Sequence, residues 1–194
     1  MPRKFAPSVW CLIDTPASMD IWEKMLEILV ARKVGVMVRP GEGLDPFLLL
    51  PRAIDAGLKT AIYLHLRDTN RVALDSILRS AQALKLHRIF LGDPRPVPGV
   101  TPREPINAPA FLAHAQALTD GDLLFGCCAR LALPADVELL QRYIDCGVHT
   151  VAIASNPKQA VPGGIPEIWN WAIAPDINLV RGRTTLIDFT IFDR

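Results

Sequence analysis

A parallel α/β fold, wound as a (β/α) barrel of TIM type, is the class this sequence predicts, and three observations lead to it. Short apolar, β-branched runs alternate with longer segments of helical period, the pattern of parallel strands joined by crossover helices. Up to eight such runs follow one another, which favours a barrel over a doubly wound sheet. The chain has 194 residues, short of the roughly 250 typical of such barrels and near the low end of about 200. The shortfall lies after Ser155, where NPKQAVPGGIPEIWNWAIAPDINLVRGR holds scattered Pro and Gly and little that could form a helix. The expected barrel is therefore shortened or incomplete in its C-terminal third, pared down or completed by a partner subunit.

Element by element, SVWCLI reads as a strand over Ser8–Ile13, followed by a helical period over Met19–Lys33. VGVMV at Val34–Val38 precedes a helix at Pro46–Ala56, and TAIYLHL at Thr60–Leu66 precedes one at Asn70–Leu86. RIFL makes a fourth strand, Arg88–Leu91. The stretch after it, DPRPVPGVTPREPINAP, cannot form regular structure, because proline removes donors and fixes φ. This long loop on the strands' C-terminal side reads either as a binding lid or as a rigid surface connection. A helix at Pro109–Leu118, a strand at Leu123–Ala129, a helix at Ala135–Cys146 and a strand at Thr150–Ser155 complete the regular part. Trp171–Ala174 and Thr185–Phe192 are the last two strands, and residues 1–194 form one domain.

Half the residues are apolar, 21% are charged and the formal net charge is +1. That balance excludes a disordered chain and a general nucleic-acid binder, and favours a small ligand. Cys11, Cys127, Cys128 and Cys146 have no CxxC spacing and no histidine at a regular offset, so no zinc or other metal site is expected and they read as reduced core thiols. In MPRKFAPSVWCLID, Pro7 and Asp14 interrupt any apolar run well short of a signal peptide or membrane span, so a cytoplasmic location is expected.

On a parallel sheet, polar residues at the C-terminal strand ends converge on one mouth. Here they are Asp14, Arg39, Arg67, Asp68, Asp93, Arg130, Ser155 and Asn156. Arginines could hold an anionic ligand while a carboxylate serves hydrogen bonding or proton transfer. Taken residue by residue, the plainer reading of each is a helix cap or a surface ion pair, with Asp68 or Asn70 as an N-cap. His65 alternates with apolar neighbours in AIYLHLRD and is expected to face inward, as a structural histidine or a site residue; His87, His114 and His149 receive no role. Gly41 and Gly43 form a tight loop that could present N–H groups to an anion, but VPGGIP lacks the Lys and Ser/Thr of a phosphate loop and no GxGxxG follows a strand.

The stretch RDTNRVALDSILRSAQALKLHRIFLGDP, residues 67–94, resembles the third and fourth β/α units of the methylenetetrahydrofolate reductase family, in which a strand ending in a CRDxN-like element leads through a helix to a strand ending LxGDPP. FGCCARLALPADVELLQRYIDCGVHTVAIAS is similar to that family's next unit, and the likeness spans Thr60–Ser155. The resemblance implies a flavin-binding barrel handling a tetrahydrofolate derivative, with FAD across the C-terminal strand ends and NADH or NADPH as reductant. It implies that Asp93 lies near flavin and folate and that Asp136 and Arg142 contact the FAD ribose and phosphates. Tyr63 stands at the family's flavin-holding His and Arg130 at a Tyr of the fifth strand's loop; His65 lies beside them.

The chain also departs from the family. The catalytic Glu of the first strand is replaced by Leu12 or Ile13, leaving Asp14 about 7 Å further along as the nearest acid. Ala154-Ser155 followed by Asn156 replaces a Thr-Gln pair that binds folate, and Leu91 replaces an Arg. Losing a general acid typically costs about 10²- to 10⁴-fold in rate. The expected activity is a reductase of one-carbon folate chemistry with Asp93 and Asp14 as catalytic residues and Asp93, Ser155 and Asn156 toward the folate. The alternatives are a non-catalytic or partner subunit keeping a folate or flavin pocket, in a homo-oligomer or beside another chain, and flavin-free methyl transfer from folate.

Overall fold

A computed structural model describes residues 9–66, 71–86, 88–92, 108–129, 131–154, 159–165, 167–173 and 184–188. Eight strands alternate with helices in chain order: β1 Val9–Asp14, α1 Met19–Arg32, β2 Gly35–Arg39, α2 Pro46–Asp55, β3 Thr60–Leu64, α3 Arg71–Ala83, β4 Arg88–Leu91, α4 Ala108–Leu118, β5 Leu124–Ala129, α5 Pro134–Asp145, β6 Thr150–Ala154, β7 Glu167–Ile173 and β8 Thr185–Asp188. Every strand pairs in parallel with its sequence neighbours, and β8 pairs with β1 through Val9↔Thr185 to Leu12↔Asp188, so the barrel closes within one chain. The expected fold is present, and the sheet needs no partner strand. Its economy lies outside the sheet: among the described residues, no helix follows β6, β7 or β8.

The helices form where the local chemistry prescribes them. In α1, Ser18 caps the N-terminus by accepting from Ile21 N–H, Lys33 ends it in the left-handed region, and Trp22, Leu26 and Leu29 make the buried stripe. In α2, Asp45 accepts from Phe47 N–H at 2.7 Å and Pro46 occupies the first turn, where its missing donor costs nothing. Leu74, Leu78 and Ala81 give α3 a stripe at spacings of four and three. These stripes pack on the outward faces of the strands, Ile62, Ile89, Phe125 and Val151 among them.

Inside the barrel a second core joins Trp10, Leu12, Met37, Ala61, Tyr63, Phe90, Ala152, Trp169 and Leu186. Large residues fit because small ones face them. A side chain at Gly35 would collide with the Trp10 ring, and one at Gly126 would come within 2.8 Å of the Phe90 ring. Trp169 stacks on Trp10 with centroids 5.2 Å apart and lies 5.1 Å from Phe90. Below this layer, at the N-terminal strand ends, Arg88 of β4 reaches Glu167 of β7 at 2.6 Å and Thr150 of β6, and Trp169 donates its indole N–H to Glu167 at 2.7 Å.

That floor explains where β7 begins. The sequence predicts Trp171–Ala174, yet the strand starts at Glu167, because the inward carboxylate has Arg88 as its counter-ion and so tolerates a strand position. For the last strand, Thr185–Asp188 agrees with expectation and residues 189–192 lie outside the described ones. No helix among the described residues is long and apolar enough to cross a membrane.

Candidate functional site

The C-terminal strand ends gather a continuous ledge from β1 to β4. Asp14 and Arg39 are the last residues of β1 and β2 and stand opposite each other in register, so both side chains rise at the mouth. Arg39 donates Nε–H to Asp14 Oδ1 at 2.7 Å, with Nη2 3.4 Å from Oδ2, a side-on fork. The Asp14 side chain is 49% exposed and that of Arg39 20%, so the carboxylate remains open to a ligand while the guanidinium is largely packed.

The Arg39 guanidinium carbon lies 5.7 Å from the Tyr63 ring centroid. Tyr63, two residues before His65 and on the same face of the chain, meets the imidazole edge-on at 5.1 Å. Gly92 closes the row: its N–H donates to Leu64 C=O at 2.7 Å, extending the β3/β4 ladder. A Cβ there would come within 2.7 Å of Tyr63 Cε1 and 2.9 Å of His65 Nδ1. The glycine of the LGDP element is thus required for the phenol and imidazole to pack against the end of β4.

The candidate residues fall into three groups. Asp14, Tyr63 and His65 are brought together at the mouth, joined by Arg39, whose pairing with Asp14 could be found in the sequence as two opposite charges ending consecutive strands. Asp136 and Arg142 lie on α5, the helix that follows β5. Asp136 Oδ2 accepts from the backbone N–H groups of Ala132 and Leu133 at 2.8 and 3.0 Å, which ties down the N-terminal turn of α5. Arg142 is exposed in the last turn of the same helix, about 9 Å along its axis from Asp136. Asp93, Arg130, Ser155 and Asn156 lie outside the described residues, as do Arg67, Asp68 and the whole loop 93–107.

Leu12 is completely buried inside the barrel, and Leu91 is buried on the helix-facing side of β4. Cys11 and Cys127 are buried free thiols, whereas Cys128 and Cys146 are only partly buried. Burial pushes the Cys127 thiol up to about 12 and that of Cys11 to about 11, the latter slightly countered by Arg32. Both are inert as nucleophiles near neutral pH. Among the described residues no cluster of three His, Cys, Asp or Glu side chains is placed to hold a metal ion.

Chemically, the ledge offers a carboxylate held by a guanidinium, a phenol and an imidazole around one rim. Of these groups Asp14 is half exposed and His65 partly exposed, whereas Tyr63 is buried. What such a rim can do is orient a polar heterocycle and exchange a proton with it.

No protein-family model matches this sequence, and no curated protein matches it. Solved structures do match in fold. A sialic acid aldolase from Ruminococcus gnavus is 16% identical with a TM-score of 0.60, covering 94% of this chain and 67% of its own. A tryptophan synthase alpha-subunit from the hyperthermophile Pyrococcus furiosus is 12% identical with a TM-score of 0.62, covering 95% and 88%. A mandelate oxidase is 16% identical with a TM-score of 0.55, covering 91% and 63%. At these identities the likeness is one of architecture, and it makes this chain a (β/α)₈ barrel of the TIM type.

Proposed function

We propose that this chain is an oxidoreductase of one-carbon folate chemistry, similar to methylenetetrahydrofolate reductase, with its site at the mouth formed by β1 to β4. The observation that supports it most is the packing of Tyr63 and His65 on Gly92, because it gives the glycine of the LGDP element a structural reason. Bound FAD would supply hydride transfer from NADH or NADPH to the folate's one-carbon group. Tyr63 and His65 would border the flavin, Asp93 would polarise flavin or pterin, and Asp14 would stand for the missing acid. Arg39 would hold Asp14 in one orientation.

A second reading is favoured by Leu12. Where the family carries its acid, an aliphatic side chain is sealed inside the barrel, which suits a subunit that binds folate or flavin without turning it over. One experiment separates the two. The purified protein is examined for flavin absorbance, reconstituted with FAD, and assayed for NADH- or NADPH-driven reduction of methylenetetrahydrofolate. Yellow protein with turnover supports the reductase; flavin or folate binding without turnover supports the binding subunit; a colourless protein that takes up neither FAD nor tetrahydrofolate overturns both.

A further inference from the structure

Between the first turns of α3 and α4 lies a half-open cleft of about 160 Å³, lined by Arg71, Leu74, Asp75, Ala110, Phe111 and His114. Its polar side has a defined hydrogen-bond order. Arg71 Nη2 lies 3.3 Å from His114 Nδ1, and His114 Nε2 lies 2.7 Å from Asp75 Oδ1. A guanidinium can only donate, so a hydrogen bond from Arg71 to Nδ1 requires the tautomer whose proton is on Nε2, donated to Asp75. His114 therefore stands between the carboxylate and the arginine. Arg71 is exposed, and its other guanidinium N–H groups have no partner among the described residues. Leu74 and Phe111, almost wholly buried, and Ala110 supply an apolar wall.

From this arrangement we infer a second ligand site, between α3 and α4, for a small monocarboxylate with an apolar body no larger than one ring. Arg71 provides a charged fork matched to a carboxylate, and His114 keeps that fork from closing on Asp75. The apolar wall receives the body, and a cavity of roughly 150 Å³ is known to accommodate a ligand the size of benzene. A ligand of so few atoms binds weakly, in the millimolar range. Neither the wall nor the fork belongs to the ledge from β1 to β4, so the site stands or falls independently of the proposed reductase.

The test uses the full chain with ¹⁵N-labelled histidines, titrated with benzoate and with neutral benzamide, following the imidazole nitrogens. His114 is assigned by comparison with His114→Gln. The expected result is a saturable shift of the His114 ring with benzoate, about tenfold weaker affinity for benzamide, and a similar loss in Arg71→Gln whose melting temperature is unchanged. The inference is overturned if the His114 ring does not respond, if benzamide binds as well as benzoate, if folded Arg71→Gln retains full affinity, or if the shifts are confined to His65 at the mouth.

Discussion

Arg39 holds Asp14 by a side-on fork, Nε to Oδ1 at 2.7 Å and Nη2 to Oδ2 at 3.4 Å, at the ends of adjacent strands. The pair is half open to water, so its contribution to stability is small, up to about 1 kcal/mol. Its consequence is orientation of the Asp14 carboxylate.

Asp14→Asn and Arg39→Ala are therefore expected to shift unfolding free energy by no more than about 1 kcal/mol each, and, under the proposed function, to weaken folate binding or turnover at least about tenfold. Arg39→Lys should behave like Arg39→Ala in binding, since an ammonium cannot reproduce the fork. Urea melts set beside calorimetric titration with tetrahydrofolate check this; equal losses in stability and binding would make the pair merely structural.

At Gly92 the expected effect is steric. Gly92→Ala places a methyl group against the Tyr63 ring and His65, and the resulting overpacking should cost about 1–3 kcal/mol. Truncating Tyr63 in the same chain should return part of that loss, because the two changes share one contact. Denaturant melts of the single and double variants measure it.

For Asp136, the capping contacts predict that Asp136→Ala destabilises the protein by about 1 kcal/mol, with Asp136→Asn closer to wild type. If the carboxylate instead contributes to flavin binding, FAD affinity falls in both variants with no change in melting. A melting curve and an FAD titration on each variant distinguish the two roles.

The buried thiols give a pH dependence. Cys11 and Cys127 keep their protons in the folded chain up to about 11 and 12, whereas exposed thiols of the unfolded chain ionise near the ordinary value of 9.0. Above that value the unfolded chain binds fewer protons, so stability falls as pH rises, by up to about 1.4 kcal/mol per pH unit for each thiol. The loss should begin near pH 9, persist through the range of the folded values, and be shallower in Cys127→Ala at matched wild-type stability. Urea midpoints at a series of pH values above 8 read this directly.

The strands and helices of the first 154 residues were readable because burial on one or both faces imposes a period, and the caps Ser18 and Asp45 mark helix starts by local hydrogen bonding. β7 was only half readable, since a glutamate and an asparagine break its apolar run and the residue that neutralises Glu167 lies on β4. The Arg71–His114–Asp75 row had no signature at all: its members occupy two helices, and nothing in their spacing along the chain announces contact.

By itself, the sequence determined that this protein is a parallel (β/α) barrel with polar residues at its C-terminal strand ends, because hydrophobic period and strand order are local properties of the chain. Only the tertiary structure decided that the sheet closes without a partner, that Asp14 is held by Arg39 while Asp136 caps a helix, and that Gly92 must lack a side chain for Tyr63 and His65 to pack. Those outcomes depend on strand register and on which side chains meet across the barrel, distances that the one-dimensional pattern does not contain.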